Sequence, residues 1–226
     1  MLLSALLLLS CFGTEAHAQH PHFRQLTTDN GLPSNTVYDL HLDQAGYLWL
    51  ATELGTYRYN GFEFTSFRHP AEESRGTTYL LGAPDGSTYW VNYRSGLFYH
   101  QNGVVKQVPA DDANTTSQLH TMCFDPQGQC WAGGTRGIIC YSPERDELRS
   151  WNTPAFQGAH NVWLDSSDRV HFKLPRGFFA WQADSLVPMD FPQALLQTMG
   201  KNDNRQIRSN TLIAMSDAGS GRFLST

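Results

Sequence analysis

Charge is scarce in this chain. Asp, Glu, Lys and Arg make up only 16% of it, with 16 basic against 21 acidic residues and a formal net charge of -5. No run of lysine or arginine occurs, which excludes the clustered basic face that a nucleic-acid partner requires. Disorder is excluded as well, because it needs low hydrophobicity and high charge, whereas 40% of these residues are hydrophobic. Catalytic signatures are missing: there is no G-x-S-x-G, H-E-x-x-H or P-loop pattern. The 226 residues are therefore expected to be non-enzymatic and to need no cofactor. Helical periodicity is nearly absent too, with Pro192 to Met199 the one stretch that suits a short helix or loop.

Long apolar runs are also lacking. Leu2 to Phe12 is apolar but falls short of the ~20 residues that span a bilayer. Followed by Ala16-His17-Ala18, a small-x-small cleavage pattern, it reads as an export signal over residues 1–18, with the mature chain starting at Gln19. No Lys or Arg precedes the run, which points to a start further upstream. A second reading is a lipoprotein signal ending at Leu8-Leu9-Ser10-Cys11, with Cys11 acylated.

Removal of that signal leaves Cys123, Cys130 and Cys140. An odd count in an exported protein fits one bridge plus a free thiol, or three buried thiols. Cys123 and Cys130 flank Asp125-Pro126-Gln127-Gly128 symmetrically, so a hairpin closed there would set them face to face, and both a bridge and simple burial remain open. The C-x-x-C and H-x-x-x-H spacings of a metal site are missing.

What the chain does have is a repeat. Asp43-Gln44-Ala45-Gly46-Tyr47-Leu48-Trp49 recurs as Asp85-Gly86-Ser87-Thr88-Tyr89-Trp90, as Asp125-Pro126-Gln127-Gly128-Gln129-Cys130-Trp131, and in worn form from Asp165 to Phe172. The aromatic anchors Trp49, Trp90, Trp131 and Phe172 are spaced 41, 41 and 41, and Gly55, Gly96, Gly137 and Gly177 are spaced 41, 41 and 40. This period belongs to propeller blades. Each unit reads as four strands. In the first, Val37–Leu42, Tyr47–Thr52, Thr56–Tyr59 and Phe62–Phe67 are separated by turns, and Asn60-Gly61 is a strong hairpin signal. The fold expected is all-β, a β-propeller of four-stranded blades. Its blades fall at about 34–70, 76–109, 117–152 and 158–190, and a fifth starts at 206–226. Propellers close at about 4 to 8 blades, so four and a half units read as the leading part of a longer protein or as a truncated gene.

The first unit also resembles a known family. Gly31-Leu32-Pro33-Ser34-Asn35-Thr36-Val37, then Asp43, Gly46, Leu48-Trp49-Leu50-Ala51-Thr52, Gly55 and Asn60-Gly61 is similar to the two-component regulator propeller repeat. The third unit keeps the pattern, the second weakens it and the fourth keeps little. Thr56 stands where the family has Leu or Ile. WD repeats fit worse because their Gly-His and Trp-Asp pairs are missing, and the double glycine of kelch repeats occurs in one unit only, at Gly133-Gly134. The resemblance implies a periplasmic sensor region attached to the inner membrane through a downstream segment, ahead of a histidine kinase, with an unknown small ligand such as an oligosaccharide. The rivals are a free-standing exported binding propeller and a secreted propeller lyase or glycosidase.

Each anchor is expected to fill the same inter-blade core position, because repeat units bury their anchors against their neighbours. The repeated Asp and Gly residues serve as turn formers. His120 and His160 each lie five residues before their unit's Asp, a place held by Tyr38 in the first unit. This sets them on the innermost strands, facing the central channel. Glu53, Arg58, Tyr93, Arg94 and Arg136 flank the turns at Gly55, Gly96 and Gly137 and would gather on one rim, where rigid scaffolds carry binding loops. Glu53, Arg94, Arg136, His120 and His160 are therefore the candidate ligand-binding residues, while Arg58 can instead pair with a neighbouring strand.

Overall fold

The computed structural model describes residues 25–189 apart from 95, 112–115, 117 and 166. The expected export signal, the stretch from Pro192 to Met199 that suits a short helix or loop, and the expected start of a fifth blade lie outside the described residues. Among those described there is no α-helix, only a 3-10 turn at Thr28–Asn30 and sixteen strands, and no helix is long and apolar enough to cross a membrane. The strands form four antiparallel sheets of four, each in simple up-and-down order. The first blade holds β1 (Val37–Leu42), β2 (Leu48–Thr52), β3 (Gly55–Tyr59) and β4 (Phe64–Phe67). Strands β5 (Thr77–Gly82), β6 (Thr88–Asn92), β7 (Gly96–Gln101) and β8 (Val104–Gln107) form the second. The third contains β9 (Leu119–Phe124), β10 (Cys130–Gly134), β11 (Ile138–Ser142) and β12 (Glu147–Trp151). The fourth contains β13 (Asn161–Leu164), β14 (Val170–Leu174), β15 (Gly177–Gln182) and β16 (Ser185–Pro188).

Neighbouring blades meet along their first strands, with β1 against β5, β5 against β9 and β9 against β13. Those four strands are the inner ones of a propeller arc. The up-and-down order puts the β2–β3, β6–β7, β10–β11 and β14–β15 turns on one rim, together with the connections between blades.

Three apolar seams hold the arc together. Trp49 and Ala51 of the first blade pack on Leu80, Trp90 and Phe98 of the second. Tyr89, Val91, Leu97 and Tyr99 pack on Met122, Phe124, Cys130 and Ala132 of the third. Cys123, Trp131, Ile138 and Cys140 pack on Val162, Phe172, Leu174 and Phe179 of the fourth. The face of the first blade turned away from the second carries Leu40 and Leu42, which are 55% and 65% exposed.

All four anchors are buried, Trp49 at 1% exposure, Trp90 at 0%, Trp131 at 3% and Phe172 at 0%. They do not occupy one repeated position, however. Trp49 and Trp131 face the following blade, whereas Trp90 and Phe172 face the preceding one, so Trp49 meets Trp90 at 6.5 Å and Trp131 meets Phe172 at 6.1 Å. The turn that opens each second strand shows the true equivalence. Asp43, Ala83, Asp125 and Asp165 each bond, through the backbone N–H, the carbonyl four residues on, and each accepts at its own carbonyl the N–H three residues on. These positions are 40, 42 and 40 residues apart, and six residues beyond each stand Trp49, Tyr89, Trp131 and His171. A strand alternates faces at every residue, so a one-residue slip puts an anchor on the opposite side of its blade.

The repeated aspartates do more than shape turns. Asp43 Oδ1 accepts the Ala45 and Tyr47 N–H groups, while its Oδ2 accepts the Trp49 indole N–H at 2.8 Å. Asp125 does the same for Gln127, Gln129 and, at 2.9 Å, Trp131. In the fourth blade His171 fills the indole's place against Asp165, at 2.8 Å. Burial works against ionisation of Asp165, but hydrogen bonds from His171, Arg169 and Ser167 outweigh it and hold the carboxyl well below its usual range. The second blade has Ala83 and Tyr89 at these two positions and so lacks the carboxylate, while Trp90, on the opposite face, donates its indole N–H to Glu72 Oε1 at 3.3 Å.

Cys123 and Cys130 do not face each other. The turn between them has five residues, Asp125 to Gln129, so Cys130 pairs with Phe124 and Cys123 with Trp131. The two thiols therefore fall on opposite faces, in different seams. All three cysteines are buried and free, and burial pushes the Cys140 thiol up to about 11. Among the described residues no cluster of His, Cys, Asp or Glu could hold a metal ion. Thr56, the departure from the family pattern, shares a buried 2.9 Å hydrogen bond with Thr77 across the first seam.

Candidate functional site

The inner strands are irregular at one repeated place. Pairing between β1 and β2 skips Tyr38, pairing between β5 and β6 skips Thr78, and pairing between β9 and β10 skips His120. A β-bulge leaves its extra residue unpaired and re-aims the side chain. In the fourth blade His160 holds the equivalent place just ahead of β13, with its N–H on the Lys173 carbonyl at 3.0 Å. The result is a row of Tyr38, Thr78, His120 and His160 at the rim end of successive inner strands. Tyr38 is 45% exposed, both histidines are exposed and Thr78 is half-buried.

His120 and His160 are the two members of the row that meet. Their rings stack with centroids 6.0 Å apart and planes at 21°. His120 Nε2 lies 3.0 Å from the Thr135 hydroxyl, which anchors that ring to the β10–β11 turn. Burial, and then the neighbouring His160, hold the His120 pKa below its ordinary value, so at neutral pH this ring is an uncharged donor and acceptor.

Glycine makes the close approach possible. A side chain on Gly134 would run into the Gln118 carbonyl and the Leu119 Cα, and one on Gly133 would press on Ala159 at 2.6 Å. Gly134 can therefore accept, at its own carbonyl, the N–H groups of Gly158 and Ala159 at 3.1 Å each. These bonds draw the connection that carries His160 onto the third blade.

The other candidates are more dispersed. Arg136 is exposed beside Thr135, on the turn that holds His120. Arg94 is exposed on the β6–β7 turn of the second blade. Glu53 sits on the β2–β3 turn of the first blade, and its Oε1 accepts the hydroxyl of buried Ser34 at 2.8 Å. That bond ties the chain entering β1 to the turn, so one carboxylate oxygen already has a structural partner. Arg58 lies on a strand face, over Tyr47 at 4.6 Å, Phe67 at 5.1 Å and Trp49 at 5.5 Å. Thr135 and Glu72 were not legible as site residues. Thr135 follows the double glycine, which is the signal that could have marked it. Glu72 sits in an aperiodic connection and has no such signal.

Residues 31–53, which are the entry to β1, both inner strands of the first blade and the start of the next turn, match the family model described as the two component regulator propeller. Among curated proteins, none matches the sequence. Solved structures do resemble it. One, named as the extracellular domain of the hybrid two component system BT3049 of B. thetaiotaomicron, superposes with a TM-score of 0.62 at 16% identity, over 75% of this chain and 26% of that one. A second, named as the extracellular domain of the one component system BT4673 of the same organism, gives 0.59 at 18% identity, over 78% and 24%. The chain thus spans about a quarter of the length of either. Virginiamycin B lyase from Staphylococcus aureus gives 0.57 at 13% identity, over 70% and 57%. At these identities the likeness is one of fold. The chain is a β-propeller that carries the two-component regulator propeller repeat in its first blade.

Proposed function

We propose that this chain is the ligand-binding propeller of an extracytoplasmic two-component sensor, and that a small polar ligand docks at the channel-side rim of the third and fourth blades. The observation that carries the reading is the stacked His120–His160 pair, buttressed by Thr135, with Arg136 next to Thr135 on the same turn. Imidazoles, a hydroxyl and a guanidinium set around an open channel offer directional hydrogen bonds of the kind an oligosaccharide uses. The repeat match at 31–53 and the likeness to extracellular domains named for signalling systems support the sensor assignment. Signalling then consists of binding: ligand contacts made in one packing of the propeller against the next module, and not in another, shift the balance between the two. In this reading an export signal precedes the propeller, and a membrane span and a histidine kinase follow it.

The test is the coding DNA beyond Thr226. A reading frame that continues through further blades into a membrane span and a kinase is the expected result. A stop codon directly after a completed ring would overturn the sensor assignment in favour of a free-standing binding propeller.

A further inference from the structure

A second pocket opens on the same rim at the first blade, away from the histidine pair. Leu54, Gly55, Tyr57, Ser66, Phe67, Arg68, Glu72 and Arg75 line it, and it encloses about 140 Å³. That is close to the ~150 Å³ cavity known to hold benzene, so one six-membered ring fits. Gly55 shapes the pocket. It stands at φ +130°, and a side chain there would lie 3.4 Å from the Arg75 carbonyl. The connection between β4 and β5 therefore rests directly on the β2–β3 turn and fixes the backbone beneath Arg75.

The charges in this pocket do not balance. Among the described residues neither Arg68 nor Arg75 forms an ion pair. Arg68 Nη2 donates to the Glu72 carbonyl at 3.1 Å. The Glu72 carboxylate has other partners: the His69 N–H at 3.0 Å, the Trp90 indole at 3.3 Å and Asn92 Nδ2 at 3.3 Å. That leaves two guanidinium groups with donors in hand beside Tyr57 and Ser66, which pair across β3 and β4 and share one face, around a space of one ring's size. Guanidinium forks match planar oxyanions in a two-point fashion.

We propose that this pocket is a second ligand site, taking a small organic oxyanion in which a carboxylate or sulfate is carried on a single ring. The anionic group sits between Arg68 and Arg75, and the ring lies against Tyr57. The site goes beyond the histidine-pair reading and does not depend on it.

The test is isothermal titration of the full chain at low salt with glucuronate, with glucose and with inorganic sulfate. Glucuronate and glucose differ at one carboxylate. The expected result is that glucuronate binds at least tenfold more tightly than glucose, and that Arg75→Gln and Arg68→Gln each weaken it at least tenfold without moving the thermal melt. Competition by sulfate supports recognition of the oxyanion itself. Glucuronate binding that survives in the His120→Ala/His160→Ala variant places the ligand here rather than at the histidine pair. Equal binding of glucose and glucuronate, no binding of glucuronate, or binding unchanged in both arginine variants would overturn the proposal.

Discussion

The Trp131 indole N–H donates to Asp125 Oδ2 at 2.9 Å, and the other oxygen of that carboxylate accepts two backbone N–H groups of the preceding turn. One side chain therefore closes the hairpin and fixes the rotamer of the buried tryptophan of the third seam. Asp43 repeats the arrangement on Trp49. Hydrogen bonds to a charged group contribute about 1.5–3 kcal/mol each, and a buried donor left without a partner costs about 1–3 kcal/mol. Asp125→Ala is expected to destabilise the chain by about 2–4 kcal/mol, read by urea denaturation. A loss under about 0.5 kcal/mol, the range of ordinary surface changes, would show that the carboxylate is not the clamp.

Core and rim should separate cleanly. Trp131 is 3% exposed and packs against Trp151, Phe172 and Trp181, so Trp131→Ala should cost roughly 3–5 kcal/mol. Arg94 is exposed on a turn, and Arg94→Ala should stay within about 0.5 kcal/mol. Melting curves of the two variants decide the matter. An early melt for the Arg94 variant would mean that the rim turns hold the fold.

Stability should fall with acidification. The His120 pKa is lowered by burial and by His160. The folded state therefore favours the neutral ring, and its contribution is fully present above the unfolded value of 6.5 and lost as pH falls through the lowered folded value. His41 and His100 are lowered as well, chiefly by burial, so they add to the slope. Glu72 is raised by burial and acts in the opposite sense, its contribution present below 4.5 and lost as pH rises through its raised value. Comparison with His120→Gln cancels every group but one. The variant should lose less stability than the parent between pH 7.5 and acid conditions, measured by denaturant midpoints. Identical pH profiles would contradict the lowered His120 pKa.

The blades themselves were legible because aspartate, glycine and an aromatic recur in order at every unit. Their register was not. Tyr89 and Trp90 are both aromatic, as are His171 and Phe172, so spacing alone could not tell which of each pair faces the next blade. The second blade also has three residues between Asn92 and Gly96, against two between Thr52 and Gly55, and this offset restores an even spacing of the glycines over an uneven one of the turns. The face-to-face placement of Cys123 and Cys130 failed for a related reason, since Asp125 closes a five-residue turn through the Gln129 carbonyl. Of the site, the histidines could be read from their offset to the turn aspartate. Thr135 had only the preceding double glycine as a signal, because its partner comes from another strand and only folding brings the two together.

Self-association should follow from the first blade's outward face. Leu40 is exposed there at a register position where the other blades bury Leu80, Met122 and Val162, Leu42 is exposed beside it, and an open apolar sheet face invites pairing. Residues 19–226 alone should elute larger than a monomer, and Leu40→Lys with Leu42→Lys should shift them towards the monomer. A monodisperse parent chain on light scattering would contradict this.

The central claim is that His120 and His160 together read a ligand. The most direct measurement is isothermal titration of the full chain with a panel of neutral oligosaccharides, repeated on the His120→Ala/His160→Ala variant. The account predicts that at least one sugar binds the parent, and that the variant binds it at least tenfold more weakly while keeping the parent's far-ultraviolet circular dichroism. No binding anywhere in the panel, or equal affinity in the variant, would contradict it.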